Sequence, residues 1–253
     1  MKFVPVTLKE NADEIHTYLQ RCNSGLLSKI GSVNHLHWSA LKYAASLVEP
    51  AGDSVIEIGC GEGYLMPTLS KYFNKVVGVD ASEKMFNSAK LNFSFPNTTY
   101  LLGDITSPKH SELTIERYNW VVCLEVLEHI GRWEVALNNM IALLRSEGRG
   151  LLSMPVEIGL PLLVKEVGRI VFYRRGSDWE WIHFIKKFFG SRHLILRNNY
   201  GSHMGFDYRE VIHFLCKISS INIECISFFP VNFKYLGFRV YVLFQKRDKH
   251  NRS

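Results

Sequence analysis

Apolar and polar positions change rhythm repeatedly between residues 50 and 155. Residues 54–58 form a short run with the look of a buried strand, and residues 64–73 then repeat at helical spacing. Residues 75–79 make a second strand-like run, followed by a helical stretch from Ser82 to about residue 91. Further strands are predicted at 99–102, 120–124 and 150–154, with a helix over 133–144. Strands alternating with helices predict an α/β fold whose parallel sheet is covered on both faces.

The flanks read differently. Residues 1–50 are helical in pattern: Thr7 suits the cap of a helix to about residue 21, and a second helix covers about 36–48. After Pro155 the alternation stops, and residues 160–200 become aromatic, basic and helical in spacing. A helix resumes over 208–217, and runs at 221–228 and 238–245 predict an antiparallel pair at the sheet edge. The division expected is a helical cap (1–50), a core (51–155), an insertion (156–206) and a sheet completion with a basic tail (207–253).

Composition narrows the classes. The 253 residues suit one large domain, and 47% hydrophobic content against 21% charged supports a real core. No apolar run reaches the ~18 residues of a membrane span. The most apolar stretch, 151–164, is broken by Pro155, Glu157 and Pro161. The first residues carry no signal-peptide core, which makes a cytoplasmic location the expectation. Five scattered cysteines (22, 60, 123, 216, 225) form no CxxC pair, against a disulfide scaffold or structural zinc. The net charge of +6 is concentrated: residues 160–200 hold eight Lys/Arg against three acids. Such a patch suits either an anionic partner or a solvated face.

The strongest chemical signal is Val55-Ile56-Glu57-Ile58-Gly59-Cys60-Gly61-Glu62-Gly63. An apolar strand carrying an acid runs into three glycines spaced by two. Such glycines allow a sharp turn and let a ligand approach the main chain. The spacing is GxGxG, whereas a pyrophosphate-binding dinucleotide loop calls for GxGxxG, and position 64 is Tyr. Asp80 ends the second strand 21 residues after Gly59, where an acid can hold both hydroxyls of a ribose.

These features resemble the class I S-adenosylmethionine (SAM) methyltransferases over residues 52–155. The resemblance implies a Rossmann-like, seven-stranded, mostly parallel sheet and SAM as cofactor. It further implies that Gly59, Gly61 and Gly63 line the methionine part of SAM, and that Glu57 orients the loop and reaches the ligand's amino group. Asp80 would bind the ribose, Asp104 the adenine amine with Ile105 packing on the ring, and Leu124 would lie beside the cofactor. A nicotinamide enzyme is the competing reading, disfavoured by the third glycine.

The segment after the fourth strand, Leu124-Glu125-Val126-Leu127-Glu128-His129, is similar to that of many small-molecule SAM methyltransferases, including quinone-biosynthesis O-methyltransferases. A helical turn starting at Glu125 would put 125, 128 and 129 on one face. Three roles stay open. Glu128 and His129 orient loops; His129 acts as general base; or Glu125, Glu128, His129 and His203 hold Mg²⁺ or Mn²⁺. The metal is not favoured, since many relatives carry the pattern without one. His129 and His203 are the expected catalytic residues, and Asn34-His35-Leu36-His37-Trp38 could close over the cofactor.

The insertion has three readings: a membrane-surface helix, a lid over a hydrophobic acceptor, or a packed subdomain. The expected function is SAM-dependent methyl transfer, with oxygen of a small molecule, lipid-linked intermediate or saccharide as acceptor. The alternatives are a metal-dependent RNA 2′-O-methyltransferase and a non-catalytic SAM-fold subunit. Nucleic acid ranks below the other acceptors. Peripheral contact with an anionic membrane is the further partner expected.

Overall fold

The computed structural model describes residues 1–4, 33–50, 52–107, 117–173, 181–191 and 205–248. The helix expected over 7–21 lies outside them. Helix α1 spans Val33–Leu47, β1 Ser54–Ile58, α2 Met66–Tyr72, β2 Lys75–Asp80, α3 Glu83–Asn92, β3 Thr98–Leu102 and β4 Tyr118–Leu124. Then follow α4 (Trp133–Leu143), β5 (Leu144–Pro155), α5 (Gly159–Tyr173), α6 (Trp181–Phe188), α7 (Tyr208–Lys217), β6 (Ile221–Phe229) and β7 (Arg239–Lys246).

The seven strands form one sheet in the order β3-β2-β1-β4-β5-β7-β6. Neighbours from β3 through β5 pair parallel, while β7 runs antiparallel to both β5 and β6. The two last strands form the expected antiparallel pair at the sheet edge, with β6 outermost and β7 against β5. Its reversal matters, because it brings the start of β7 to the carboxyl ends of the parallel strands: Arg239 lies opposite Pro155.

Every residue of β1 is buried, as a central strand between two helical layers requires. Alternate residues feed two cores. Ile56, Ile58, Val77, Val79, Val121 and Cys123 face one layer with Leu137 and Met140 of α4 and Val211 of α7. Val55, Val76, Trp120, Val122 and Leu151 face the other with Ala44 and Ala45 of α1 and with Leu65, Met66 and Leu69 around α2. Asn119 pins the starts of β1 and β4, its Oδ1 accepting from Asp53 N, Ser54 N and Ser54 Oγ. Ser82 caps α3 by accepting from Met85 N.

The order of connection reverses between β1 and β4, and this switch point opens a crevice at the carboxyl ends of the strands. Helices α5 and α6 of the insertion follow β5 on that side. A buried clasp fixes their far end. Lys187 at the end of α6 donates to Asp207 Oδ2 at 3.0 Å, and Arg209 donates to Asp207 and to the Gly190 carbonyl. Asp207 also caps α7, accepting from Arg209 N. Burial works to raise the Asp207 carboxyl, but Arg209 and Lys187 hold it below the usual carboxylate range. Lys187 therefore faces inward and contributes nothing to a basic outer surface.

Candidate active site

The turn after β1 is built by the backbone. Gly59, Gly61 and Gly63 all have positive φ, at 70°, 54° and 83°. L side chains rarely tolerate that region. The amides of Gly59 and Cys60 both donate to the Val79 carbonyl, which holds the turn against β2. A Cβ on Gly59 would lie 2.3 Å from Val126 Cγ2, so the turn after β4 packs directly on this glycine. A Cβ on Gly61 would meet nothing within 4 Å, so this point faces open space. Asp80 completes the turn: its Oδ2 accepts from Gly61 N at 2.8 Å and its Oδ1 from Ser82 N at 2.9 Å.

Glu57 lies beneath this turn, buried within β1, and its Oε2 has no hydrogen-bond partner. Burial and then the nearby Asp80 charge push its carboxyl up to about 8. An orphaned buried carboxyl oxygen costs roughly 1–3 kcal/mol. A cationic ligand group would remove that cost and restore the charged form. The residues present thus fit the amino-acid end of SAM. Farther along, Asp104 is exposed after β3, with Oδ1 accepting from Thr106 N and Thr106 Oγ1. Ile105 is buried in the core layer of β2 and α4. Leu124 is half-buried at the end of β4.

The turn after β4 differs from the sequence expectation. Glu125 has φ of 56°, so no helical turn starts there. A short 3-10 turn covers Leu127–His129, with Glu128 buried and His129 exposed. Glu125 instead joins an ion pair across the sheet. Its Oε2 accepts from Arg239 Nε at 3.1 Å, and its Oε1 from Ser153 Oγ at 2.9 Å. Burial, then the Glu125 charge, drives the Glu128 carboxyl well above its ordinary value. Among the described residues no three His, Cys, Asp or Glu side chains are placed to hold a metal ion. The Glu125, Glu128 and His129 set does not converge, and His203 lies outside the described residues, as do Asn34 and His35 in their side chains.

Three residues that local sequence did not single out meet on the far side of the switch point. Arg239 arrives from the reversed strand, Ser153 from β5, and Tyr241 of β7 donates to the Ala40 carbonyl of α1 at 3.0 Å. Only the partners' meeting in space reveals them. His37 of α1 does belong to a segment expected to close over the cofactor. Its ring lies edge-on to Tyr64, with centroids 6.2 Å apart. Its Nε2 is buried and has no partner. Burial first, and then the Arg239 charge, lowers His37 to about 4, with Glu125 opposing.

Sheet order and glycine turn together are those of the class I SAM methyltransferases. Comparison with known proteins agrees: a family model described as a methyltransferase domain matches residues 30–204, and the chain belongs to that family. SAM is the methyl donor of this class.

Among curated proteins, the ubiquinone biosynthesis O-methyltransferase of Hydrogenovibrio crunogenus is 28% identical over 128 residues, covering 48% of this chain and 52% of that protein. The protein of the same name from Coxiella burnetii (strain RSA 493 / Nine Mile phase I) is 31% identical over 111 residues, covering 43% and 46%. The chain thus spans about half the length of the curated relatives it matches. Among solved structures, the N-methyltransferase NodS of Bradyrhizobium japonicum WM9, in complex with S-adenosylhomocysteine (SAH), superposes with a TM-score of 0.57 at 12% identity. That match covers 93% of this chain and all (100%) of the other. Magnesium protoporphyrin IX methyltransferase of Synechocystis PCC 6803 with bound SAH gives 0.57 at 17% identity, covering 92% and 95%. At these identities the structural matches speak for the fold.

Proposed function

We propose that this protein transfers the methyl group of SAM to an oxygen of an apolar small molecule, with catechol- or quinol-like rings as the acceptor class. The observation that carries the acceptor's apolar character is a set of exposed hydrophobic side chains at the carboxyl end of the sheet. Leu160, Val164 and Val167 repeat at helical spacing on α5. Ile182 and Ile185 are exposed on α6, and Phe189 just beyond it is 81% exposed. Val231, Phe233, Tyr235 and Leu236 in the connection before β7 add to them at the same end. Exposed large apolar side chains of this kind mark sites for ligands or lipid. The names of the two curated relatives above, both ubiquinone biosynthesis O-methyltransferases, support oxygen and a quinone-type ring.

When bound, SAM supplies an electrophilic methyl carbon. The chain's own residues hold and orient it. Gly59, Gly61 and Gly63 let the main chain approach, Glu57 accepts from the amino group, Asp80 engages the ribose, and Asp104 with Ile105 serves the adenine end. Leu124 and the Glu125–Arg239 pair set the boundary between donor and acceptor. Orientation of donor and acceptor in line supplies much of the acceleration. The described residues provide no convergent metal-ligand set, so no step is assigned to a divalent ion.

The same apolar surface supports contact with a membrane that carries the acceptor. No helix among the described residues is long and apolar enough to cross a bilayer. Contact of this kind is peripheral, with Lys186 rather than the inward-facing Lys187 on the outer side. The test is transfer from labelled SAM to a prenylated catechol in anionic liposomes and to soluble 3,4-dihydroxybenzoate. Faster transfer to the liposomal acceptor, reduced at least about tenfold by combined Ile182→Asp and Phe189→Asp, is the expected result. Equal rates on both acceptors, unaffected by these changes, would count against the apolar acceptor.

A further inference from the structure

We infer that His37 is a catalytic residue whose Nε2 receives the proton of the acceptor hydroxyl during methyl transfer. The inference rests on the oxygen-methylation reading above and assigns its proton acceptor.

The position of His37 carries the argument. Its ring touches Tyr64, the residue directly after the glycine turn. Its helix α1 is tied to β7 by the Tyr241 hydroxyl, which donates to the Ala40 carbonyl, and Arg239 at the start of the same strand donates to Glu125. His37 is thus carried on a helix that meets the glycine turn through Tyr64 and the strand of the Glu125–Arg239 pair through Tyr241. Trp38 and Tyr64, whose rings meet at 5.2 Å, brace the helix and the turn against each other beside it. Nε2 is closed to solvent and unpartnered, so a group that satisfies it has to come from within the cleft. An O–H donor would do so, and the neutral imidazole is ready to accept from it. His129 lacks this placement, being exposed on the 3-10 turn.

The chemistry balances without another reagent. The acceptor oxygen uses a lone pair to bond the methyl carbon as the carbon–sulfur bond breaks, and that electron pair stays on sulfur, leaving SAH. The oxygen's proton becomes strongly acidic as the new bond forms, so even a base weakened by burial can take it at Nε2. Burial and the Arg239 charge disfavour the imidazolium, so it passes the proton on to water as the product leaves.

Two readouts test this on the full chain, with 4-hexylcatechol as acceptor probe. First, the His37 Nε2 resonance is followed by long-range ¹H–¹⁵N NMR in the SAH-bound protein, with His37→Asn for assignment. Adding the catechol should shift Nε2 as it accepts a hydrogen bond. Second, His37→Asn and His37→Gln should each lower kcat at least about 100-fold, with SAH affinity kept within about threefold as proof of folding. An Nε2 signal unmoved by catechol, or a variant within about threefold of the parent kcat, would overturn the inference. If the parent protein binds SAH but methylates no hydroxyl, the oxygen reading fails separately, and the Nε2 response alone decides whether His37 meets the hydroxyl.

Discussion

On the β1–β2 side of the cleft, the main chain forms most of the site. Three glycines at positive φ shape the turn, and Asp80 accepts from backbone amides. Across the switch point, side chains form it. Glu125 meets Ser153 and Arg239 from two other strands, and Tyr241 ties β7 to α1. The first half suits a ligand whose shape never changes. Under the proposed function, the second places exchangeable side chains where the acceptor would enter. One sheet can thus keep its donor site while its acceptor site varies.

The largest expected effect falls on the clasp behind the acceptor half. Asp207→Ala leaves Lys187 buried without its partner and removes a helix cap, costing about 3–5 kcal/mol. Denaturant unfolding measures this, and SAH affinity within about twofold of the parent would keep the two halves separate. The pH dependence has a definite sign. The Asp207 carboxyl is lower in the folded chain, so its stabilisation is present above the unfolded value and is lost as pH falls through the folded one. Gly59→Ala comes next. The left-handed φ and the approach to Val126 together cost about 2–4 kcal/mol. Calorimetry should also find SAH binding weakened at least about 100-fold; retained affinity would remove the backbone account of the donor half.

Glu57→Gln sharpens the comparison through pH. Because the folded Glu57 carboxyl sits at about 8, above its ordinary value, its contribution is full below the unfolded value and is lost as pH rises toward 8. The melting temperature of the variant should therefore gain on the parent as pH rises from about 5 to 8. In the parent, SAM binding should release a proton near pH 7, and the variant should release none; equal proton release would show that Glu57 does not meet the amino group. The smallest effect is Tyr241→Phe, which removes one buried hydrogen bond at about 1 kcal/mol. Thermal unfolding reads it, with SAH affinity unchanged.

The sheet was legible because buried strands and amphipathic helices have different periods. The interval 54–58 is recovered as β1 and 208–217 as α7. Residues 150–154 hold only the buried end of β5, whose earlier part is exposed, Gly-containing and polar. The glycine turn could be read because its three glycines and Asp80 meet through nearby backbone. The pair across the sheet could not: Glu125 and Arg239 lie 114 residues apart, and nothing near either announces it. The helical turn expected at Glu125 failed for a local reason, since its φ of 56° breaks the helical path. Lys187 shows the opposite error, a surface-looking lysine that the Asp207 clasp draws inside.

The reversed strand has a consequence for protein engineering. Because β7 runs against its neighbours, the 230–238 connection opens at the same rim as the turns after β4 and β5. That connection can be shortened, lengthened or exchanged for another without cutting the β1–α3 segment that carries the glycine turn. Under the proposed function, grafting foreign hairpin tips onto the Phe229 and Arg239 stems would therefore be a direct route to new acceptors on an unchanged sheet.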